Sequence, residues 1–393
     1  MNNITVLICA KNAENTIQEA LLSAVRDDIE QKILLVDDFS QDKTIAKAEE
    51  LRLKHLSIVQ PKVNITAGIG NARQTALENT STEVGIWLDA DDEFLPGRIE
   101  NLHQILTSQK VDLVFDAAEL YCGKKKSKIR DLPIPDSMFE INGEINLFER
   151  NYLPGPNWEM FKTEKALEVG YDTQNNIAED HDFNLRAITK GLQFGFSANK
   201  GYRQYSYSKS FSRDMEQQLM RTRMALLKHN REDLEELLKK KNIQKQRSKW
   251  ILFFFLIYRK DFHEAYDLIK ETASLEIFKG TDHKKPLEME NELWRNKFYL
   301  GTLQLLLGNP EKAEKLLREC NSIKQTPEGA NNHGVALIFM GKEHLADKKF
   351  KDAIAMFPSY QDASKNLYLP TGESAKITAT ELRMHPSRYE YTN

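Results

Sequence analysis

Three carboxylates follow a short apolar run near residue 90. Residues 85–88 (Gly-Ile-Trp-Leu) have the composition of a buried strand, and Asp89, Asp91 and Asp92 come directly after it. Carboxylate oxygens are the ligands that Mg²⁺ and Mn²⁺ prefer, and these cations keep positions open for phosphate oxygens. The pattern therefore predicts a divalent-cation site for a phosphate-bearing ligand. A solvated acidic turn at the end of a strand is the alternative that this stretch alone leaves open.

The chain around these acids alternates between strand-like and helix-like segments. Four apolar runs have the length and composition of buried strands: residues 4–10, 33–36, 56–59 and 84–88. Segments with helical spacing lie between them, and this alternation predicts an α/β domain with a doubly wound, mostly parallel sheet. Ligands of such sheets bind at the carboxyl ends of the strands. Because Asn12, Asp38 and Asp91 all follow predicted strands, we expect one edge of the sheet to carry the site.

Four segments in chain order carry motifs that belong to this edge. They are residues 35–44 (Leu-Val-Asp-Asp-Phe-Ser-Gln-Asp-Lys-Thr), 68–74 (Gly-Ile-Gly-Asn-Ala-Arg-Gln), 87–96 (Trp-Leu-Asp-Ala-Asp-Asp-Glu-Phe-Leu-Pro) and 179–186 (Glu-Asp-His-Asp-Phe-Asn-Leu-Arg). Together they resemble the inverting glycosyltransferases of family 2, which have the Rossmann-like GT-A fold. The resemblance implies a metal-dependent hexosyl- or hexosaminyltransferase. Its donor would be a nucleotide-diphosphate sugar, with a UDP-sugar expected first, and its acceptor a hydroxyl of a glycan, a lipid-linked molecule or a protein.

The resemblance also implies which residues bind the donor. Asp38 would accept a hydrogen bond from the nucleotide base, and Ala10 and Asn12 would line the same pocket. Arg73 would lie beside the nucleotide-sugar, near the start of a helix whose N-terminus favours phosphate, although an exposed surface position is the alternative. Asp89 would face the ribose or the shell of the metal.

The remaining implied roles concern the metal, the base and the acceptor. Asp91 would coordinate Mn²⁺ or Mg²⁺ on the diphosphate. Asp180 would be the general base that takes a proton from the acceptor hydroxyl, although acids at a helix N-terminus also occur for dipole reasons. We expect Trp158, Glu179 and Arg203 to contact the acceptor, with a buried core position as the alternative for Trp158.

Two departures from the family pattern keep a second class of function open. Lys11 stands where many relatives have an aromatic residue that stacks on the base, and Tyr207 stands where a His often adds a metal contact. The alternative is therefore a non-catalytic repeat scaffold with a degenerate nucleotide-binding GT-A module. A nucleotidyltransferase would need a glycine-rich loop after the first strand, and residues 9–14 contain no glycine. His181, beside the predicted base, is expected to be a partly exposed helix residue.

The composition changes after about residue 213, where a helical and charged part of the chain begins. Four positions recur at an offset of 33 residues: Gly301, Gly308, Ala313 and Leu317 return as Gly334, Gly341, Ala346 and Phe350. This pattern resembles tetratricopeptide repeats, with a generic helical bundle as the alternative. We therefore predict a GT-A domain over residues 1–214, a linking helix over 215–245, an all-α helical-repeat domain over 246–367 and a polar, extended tail over 368–393.

Charge and composition limit the partners that we expect. The 393 residues carry 55 Lys and Arg against 58 Asp and Glu, a net charge of −3, which argues against a general nucleic-acid-binding protein. The three cysteines are far apart and lack metal-site spacing, which fits a reducing compartment. We expect a cytoplasmic protein, with peripheral association at the inner face of the membrane left open. The repeats would bind a protein partner or mediate self-association.

Overall fold

The computed structural model describes most of the chain as two compact units. The described residues are 3–26, 31–61, 68–123, 125–153, 159–174, 178–207, 215–270, 286–358, 360–369 and 374–379. The units are Met1–Gln244 and Lys245–Asn393. Among the described residues, no helix has both the length and the apolar character needed to cross a bilayer.

The first unit is built on one mixed sheet. Its strands in chain order are β1 (Ile4–Ala10), β2 (Gln31–Asp37), β3 (Leu56–Val59), β4 (Val84–Asp89), β5 (Glu93–Phe94), β6 (Leu113–Cys122), β7 (Ser127–Leu132), β8 (Glu159–Lys162) and β9 (Phe194–Ser206). Their order in space is β3-β2-β1-β4-β8-β6-β9-β5, and β7 pairs with β6. The first four strands are mutually parallel, which confirms the predicted α/β part. The sheet as a whole is mixed and not mostly parallel, because β5, β7 and β8 pair antiparallel with their neighbours.

Helices cover the sheet and connect its strands. In the first unit they are α1 (Ile17–Ala24), α2 (Thr44–Glu50), α3 (Ile69–Glu78), α4 (Arg98–Ser108), α5 (Thr163–Val169), α6 (Glu179–Thr189), α7 (Met215–Leu226) and α8 (Arg231–Lys240), with short 3-10 helices at Asp136–Met138 and Gly143–Phe148. All seven residues of β1 are buried, as expected for a central strand that is covered on both faces. At Gly85 in β4, a Cβ atom would lie 2.5 Å from the ring of Phe161 on β8, so only glycine fits there.

A buried ion pair lies directly beneath the acidic turn. The Arg98 guanidinium at the start of α4 donates to Asp116 of β6 through Nε and NH2, at 3.0 Å each, and its NH1 donates to the Trp87 carbonyl at 3.2 Å. Both side chains are buried, and the guanidinium stacks between the rings of Phe94 and Tyr202 at 4.5 and 4.7 Å. These contacts tie β4, β6, β9 and α4 together just below Asp89 and its neighbours.

The second unit is mainly helical in its described part, and its residues 374–379 are extended. Its helices are α9 (Lys245–Arg259), α10 (Phe262–Ile269), α11 (Pro286–Leu306), α12 (Pro310–Ile323), α13 (Pro327–Phe339), α14 (Glu343–Met356) and α15 (Gln361–Leu367). Residues 271–285 of this unit lie outside the described residues.

The recurring positions make equivalent contacts in two successive helix pairs. A Cβ atom at Gly301 of α11 would lie 2.7 Å from Leu317 Cγ of α12, and one at Gly334 of α13 would lie 2.5 Å from the Phe350 ring of α14. Both glycines therefore allow the two helices of a pair to approach closely. The packing agrees with an internal repeat, and the assignment of this repeat to the tetratricopeptide type stays a prediction.

Candidate active site

The carboxyl ends of β1 and β2 are joined by a network of loop hydrogen bonds. The Asp38 amide donates to the Ala10 carbonyl at 2.8 Å. Asn12 has a left-handed backbone with φ of 52°; its amide donates to Ser40 Oγ at 2.9 Å, and its Oδ1 accepts from the Gln41 amide at 2.8 Å. Ala10 and Asn12, both predicted to bind the donor, therefore fix the shape of the loop that presents Asp38.

Asp38 already has two partners in this loop. Its Oδ1 accepts from the Gly68 amide at 3.1 Å, and its Oδ2 forms an ion pair with Lys11 Nζ at 3.0 Å. The Asp38 side chain is 7% exposed, whereas that of Lys11 is 51% exposed. A ligand that takes the place of the Lys11 ammonium would thus meet a nearly buried carboxylate. No sequence motif indicated this pairing.

The acidic turn after β4 gathers carboxylates around one point. Oxygens of Asp89, Asp91 and Asp92 lie within 4.8 Å of one another. Asp92 is buried and accepts from the Tyr205 amide at 2.7 Å and from the Tyr202 hydroxyl at 2.8 Å. Asp92 therefore holds the turn against β9. Asp89 is partly exposed, and Asp91 is exposed at the tip of the turn.

The donor set of this turn fits a divalent cation. Partial burial raises the pKa of Asp89 to about 7, with Arg73 opposing the shift and Asp91 adding to it. Burial raises the pKa of Asp92 well above its usual range as well, and the charges of its two acidic neighbours contribute. No hydrogen bond or ion pair to another described residue uses the Asp91 carboxylate. A hard cation held by Asp91 and Asp89 would stabilise the ionised carboxylates, which burial and, to a smaller extent, mutual repulsion disfavour.

The charges of the acidic turn affect the pKa of Tyr207. Burial raises its pKa to about 12, and Asp91 and Asp92 add to the shift. Its phenol therefore stays protonated near neutral pH and is available as a hydrogen-bond donor, not as an anionic ligand. Its ring packs on Gly123, where a Cβ atom would lie 2.3 Å from the ring.

Arg73 connects the acidic turn to the start of α6. It is 3% exposed, and its guanidinium lies over the Trp87 ring at 4.9 Å. Its NH2 is 3.4 Å from Asp89 Oδ1, and its Nε is 3.4 Å from Glu179 Oε1. The sequence indicated an arginine near phosphate, whereas the structure surrounds its guanidinium with two carboxylates and an aromatic ring.

The predicted base occupies the first turn of α6. Asp180 is half-buried, and its Oδ2 accepts from Asn151 Nδ2 at 3.4 Å. Burial raises the pKa of the adjacent Glu179, as does the charge of Asp180, while Arg73 opposes this shift. The expectation for His181 was wrong: it is 1% exposed, and its Nε2 is 2.8 Å from the Leu147 carbonyl oxygen. It faces inward because it packs on the 3-10 helix Gly143–Phe148, and burial lowers its pKa.

With this geometry described, comparison with known sequences decides the family. The sequence model of the family described as Glycosyl transferase family 2 matches residues 5–210, which is more than half of the chain. The chain belongs to glycosyltransferase family 2. The match ends near the predicted boundary of the α/β domain and includes every residue to which a site role was assigned.

Individual relatives match over about half of the chain. The succinoglycan biosynthesis protein ExoU of Rhizobium meliloti is 28% identical over 217 residues, 51% of this chain and 61% of that protein. The poly(ribitol-phosphate) beta-N-acetylglucosaminyltransferase TarS of Staphylococcus aureus is 24% identical over 211 residues, 51% of this chain and 35% of that protein. The chain thus spans less than two thirds of the length of each of these curated relatives.

Solved structures of similar proteins cover more of the chain at lower identity. The structure of S. aureus TarS 1–349 with UDP-GlcNAc is 16% identical and has a TM-score of 0.48, covering 90% of this chain and 91% of that one. The structure of a mannosyltransferase from Pyrobaculum calidifontis with GDP-Man and Mn²⁺ is 15% identical with a TM-score of 0.44, covering 79% and 85%.

Two buried carboxylates also support the site, Asp182 within the motif of residues 179–186 and Glu159 outside the four motifs. Asp182 is fully buried, and its Oδ2 lies 2.9 Å from Arg186 NH2, while its Oδ1 lies 2.9 Å from Lys228 Nζ, which follows α7. Glu159 of β8 is 1% exposed and accepts from the Tyr171 hydroxyl at 3.4 Å; burial raises its pKa to about 8. No sequence signal marked Glu159 or Lys228, because their partners are far away along the chain.

The three residues predicted to contact the acceptor have different environments. Glu179 is bound to Arg73, as described above. Arg203 of β9 forms an ion pair with Glu93 Oε2 at 2.7 Å and lies over the Tyr121 ring at 4.6 Å, with a partly exposed side chain. Trp158 lies outside the described residues. Acceptor binding by these residues therefore stays a prediction for this member of family 2.

Proposed function

We propose that the chain is a metal-dependent inverting glycosyltransferase. It moves a sugar from a nucleotide-diphosphate donor to a hydroxyl of a glycan, a lipid-linked molecule or a protein. One observation carries the proposal: Arg73 bonds both Asp89, at the acidic turn, and Glu179, next to Asp180. One guanidinium thus connects the proposed metal-binding turn to the residue next to the proposed base, which fits a reaction between two substrates held close together. Residues 1–214 form the catalytic domain in this proposal.

In the proposed mechanism, the donor lies along the carboxyl ends of β1, β2 and β4. Asp38 accepts a hydrogen bond from the base, in the pocket shaped by Ala10 and Asn12. Asp91 and Asp89 would hold Mn²⁺ or Mg²⁺, and the cation would supply positive charge to the leaving diphosphate. Arg73 keeps Asp89 oriented and adds a fixed positive charge beside it.

Asp180 completes the reaction on the acceptor side. Its carboxylate takes the proton of the acceptor hydroxyl while that oxygen forms a bond to the anomeric carbon. The bond between the anomeric carbon and the diphosphate oxygen breaks on the opposite face, so the configuration inverts and the nucleoside diphosphate leaves. Asn151 donates to Asp180 and so helps to orient it. Support for a UDP-sugar donor comes from the N-acetylglucosaminyltransferase activity in the name of the relative TarS.

The role of Asp91 is tested by its replacement with alanine. We expect D91A to lose metal-dependent turnover of a UDP-sugar by at least about 10²-fold, because it removes the exposed ligand of the turn. The matched control is E83A, which removes an exposed carboxylate at the opposite end of β4 and should leave turnover unchanged. Product mass spectrometry across a panel of UDP- and GDP-sugars measures both. Parent-rate transfer by D91A with metal present would contradict the assignment.

The role of Asp180 is tested by a variant that keeps its shape. D180N should bind a nucleotide diphosphate as tightly as the parent but lose transfer by about 10²- to 10⁴-fold, because an amide cannot take the proton. Calorimetry measures binding, and a single-turnover assay measures transfer. Loss of nucleotide binding in D180N would count against a role confined to the base.

A non-catalytic scaffold is the second candidate, and the Lys11–Asp38 ion pair favours it. That pair occupies the carboxylate on which base recognition depends. Calorimetry with UDP and GDP, each with and without Mn²⁺, separates the two candidates. The enzyme is expected to bind one of them in a metal-dependent way and to hydrolyse the matching donor slowly. Binding without any hydrolysis or transfer would favour the scaffold.

A further inference from the structure

A short extended segment near the end of the chain lies in a polar groove of the helical unit. Residues 374–379 are neither helix nor strand. Both the amide and the carbonyl of Lys376 are bound by Asn366 of α15, with Lys376 N donating to Oδ1 at 2.6 Å and Asn366 Nδ2 donating to the carbonyl at 2.8 Å. Asn332 of α13 binds Thr378 in the same two-fold way, at 2.9 Å for each bond.

In this arrangement, side-chain amides bind the segment as the backbone of a neighbouring β-strand would. In an extended chain, the amide and carbonyl of alternate residues point to the same side, so residues 376 and 378 present one edge. A primary amide offers one acceptor and one donor in the spacing of a peptide group. Asn331 links the pair, because its Nδ2 donates to the Lys376 carbonyl at 3.1 Å and its Oδ1 accepts from Asn366 Nδ2 at 2.9 Å.

One side chain of the segment is also recognised. Thr378 is 7% exposed, and its hydroxyl donates to Asp362 Oδ2 at 2.9 Å and accepts from Asn331 Nδ2 at 3.2 Å. The Tyr360 hydroxyl is a further hydrogen-bond partner of the same oxygen. Ala375 is buried too, whereas the side chain of Lys376 is exposed. The groove therefore selects an extended backbone with a small residue followed three positions later by Thr or Ser.

The groove is lined by buried asparagine amides, which would destabilise the unit if no chain filled the groove. Asn331 and Asn332 are fully buried, and Asn366 is 3% exposed. Without an extended chain, their amides would lose the backbone partners that satisfy them, and buried polar groups without partners are destabilising. Helices that only needed to pack on one another would bury apolar side chains at these positions. The amides thus form a site for a strand-like peptide.

We propose that this groove, lined by Asn331, Asn332, Asn366 and Asp362, is a binding site for an extended segment of a partner polypeptide that carries the pattern small-x-x-Thr or small-x-x-Ser. Residues 374–379 of the chain itself are its resident occupant and compete with the partner. Recognition is mainly through the partner's backbone, so many sequences fit as long as the hydroxyl position is kept.

The test uses the full chain with its own segment weakened. Thr378→Pro removes the amide and the hydroxyl that the groove binds, while leaving the groove intact. A fluorescent peptide of residues 372–380 should bind T378P saturably in an anisotropy titration. The parent and the control K376A, whose altered side chain is exposed, should bind at least about tenfold more weakly, because the linked segment competes at high effective concentration. If T378P does not melt cooperatively by circular dichroism, T378V, which keeps the backbone, takes its place.

Peptide analogues then separate groove recognition from nonspecific binding. N-methylation at the residue-376 or residue-378 position should weaken binding at least about tenfold, and N-methylation at the residue-377 position, on the other edge, should change it less than about threefold. Adding Asn332→Leu to the weakened chain should abolish saturable binding. A folded T378P that does not bind the peptide, or equal effects of all three methylations, overturns the proposal. A dimer of the parent that dissociates in T378P would assign the groove to a second copy and overturn it as well.

Discussion

The ion pair between Lys11 and Asp38 makes a quantitative prediction about donor binding. In the proposed function, a nucleotide base takes the place of the Lys11 ammonium at Asp38. Lys11→Met keeps most of the side-chain stem and removes the charge. The Nζ to Oδ2 distance is 3.0 Å, and the lysine is 51% exposed, so the pair faces water on one side.

The magnitude follows from that distance and exposure. Two unit charges 3.0 Å apart in water attract by about 1.4 kcal/mol, and exposed pairs retain about 0–1 kcal/mol after the entropy of holding both side chains. Breaking the Lys11–Asp38 pair therefore takes little free energy from the binding of the base. K11M should tighten the binding of UDP by no more than about fivefold. Asp38→Asn removes a charge-assisted acceptor worth about 1.5–3 kcal/mol and should weaken binding by about 10- to 150-fold.

Calorimetry with UDP on the two single variants and the double variant completes the cycle. In the D38N background, K11M should have almost no effect, because the competing ion pair is already gone. If K11M instead weakens UDP binding by more than about threefold, Lys11 contacts the nucleotide itself and the reasoning is refuted. A K11M effect that persists unchanged in D38N would refute it too, since the coupling would then be absent.

Two further predictions concern the supports of the site. Arg98→Met removes the guanidinium partner of the buried Asp116 and should lower the free energy of unfolding in urea by about 3–5 kcal/mol. The double variant R98M/D116L should recover most of that loss. Equal stability of the two variants would show that the unpaired Asp116 carboxylate is not the cause of the loss. Lys228→Met removes one of the two cations that contact buried Asp182 among the described residues, and it also breaks the pair with Asp172. It should cost about 1–3 kcal/mol of unfolding free energy and reduce transfer, because α6 carries Asp180. Unchanged values in both assays would show that Lys228 does not support the helix.

Local patterns carried the prediction of the α/β part of the fold. The apolar run of β1 and the strand before the acidic turn are visible in sequence because burial on both faces demands consecutive apolar residues. The pairing of the strands could not be predicted in the same way. The antiparallel insertion of β8 between β4 and β6 depends on contacts such as Phe161 against Gly85, which are made between distant parts of the chain.

The candidate site shows the same division at the level of side chains. The family motifs include Arg73, Asp89 and Asp180, because residue type and spacing are local properties. The partners of these residues are not local: Arg73 lies on α3 but bonds carboxylates of β4 and α6. Nothing in the sequence indicated that Glu159 is buried near the site, because a single carboxylate beside an apolar run is typical of the exposed end of a strand.

The position of Arg73 supports the proposal that the acidic turn binds a cation in addition to an arginine. The guanidinium is buried against Trp87, so it is held in place beside Asp89 and Glu179. Asp91 lies at the exposed tip, and no ion pair within the described residues neutralises it. A fixed positive charge on one side of Asp89 therefore leaves the side that faces solvent acidic. That side is where a diphosphate would bring further negative charge, which supports the proposal that a divalent cation binds there in addition to the Arg73 guanidinium.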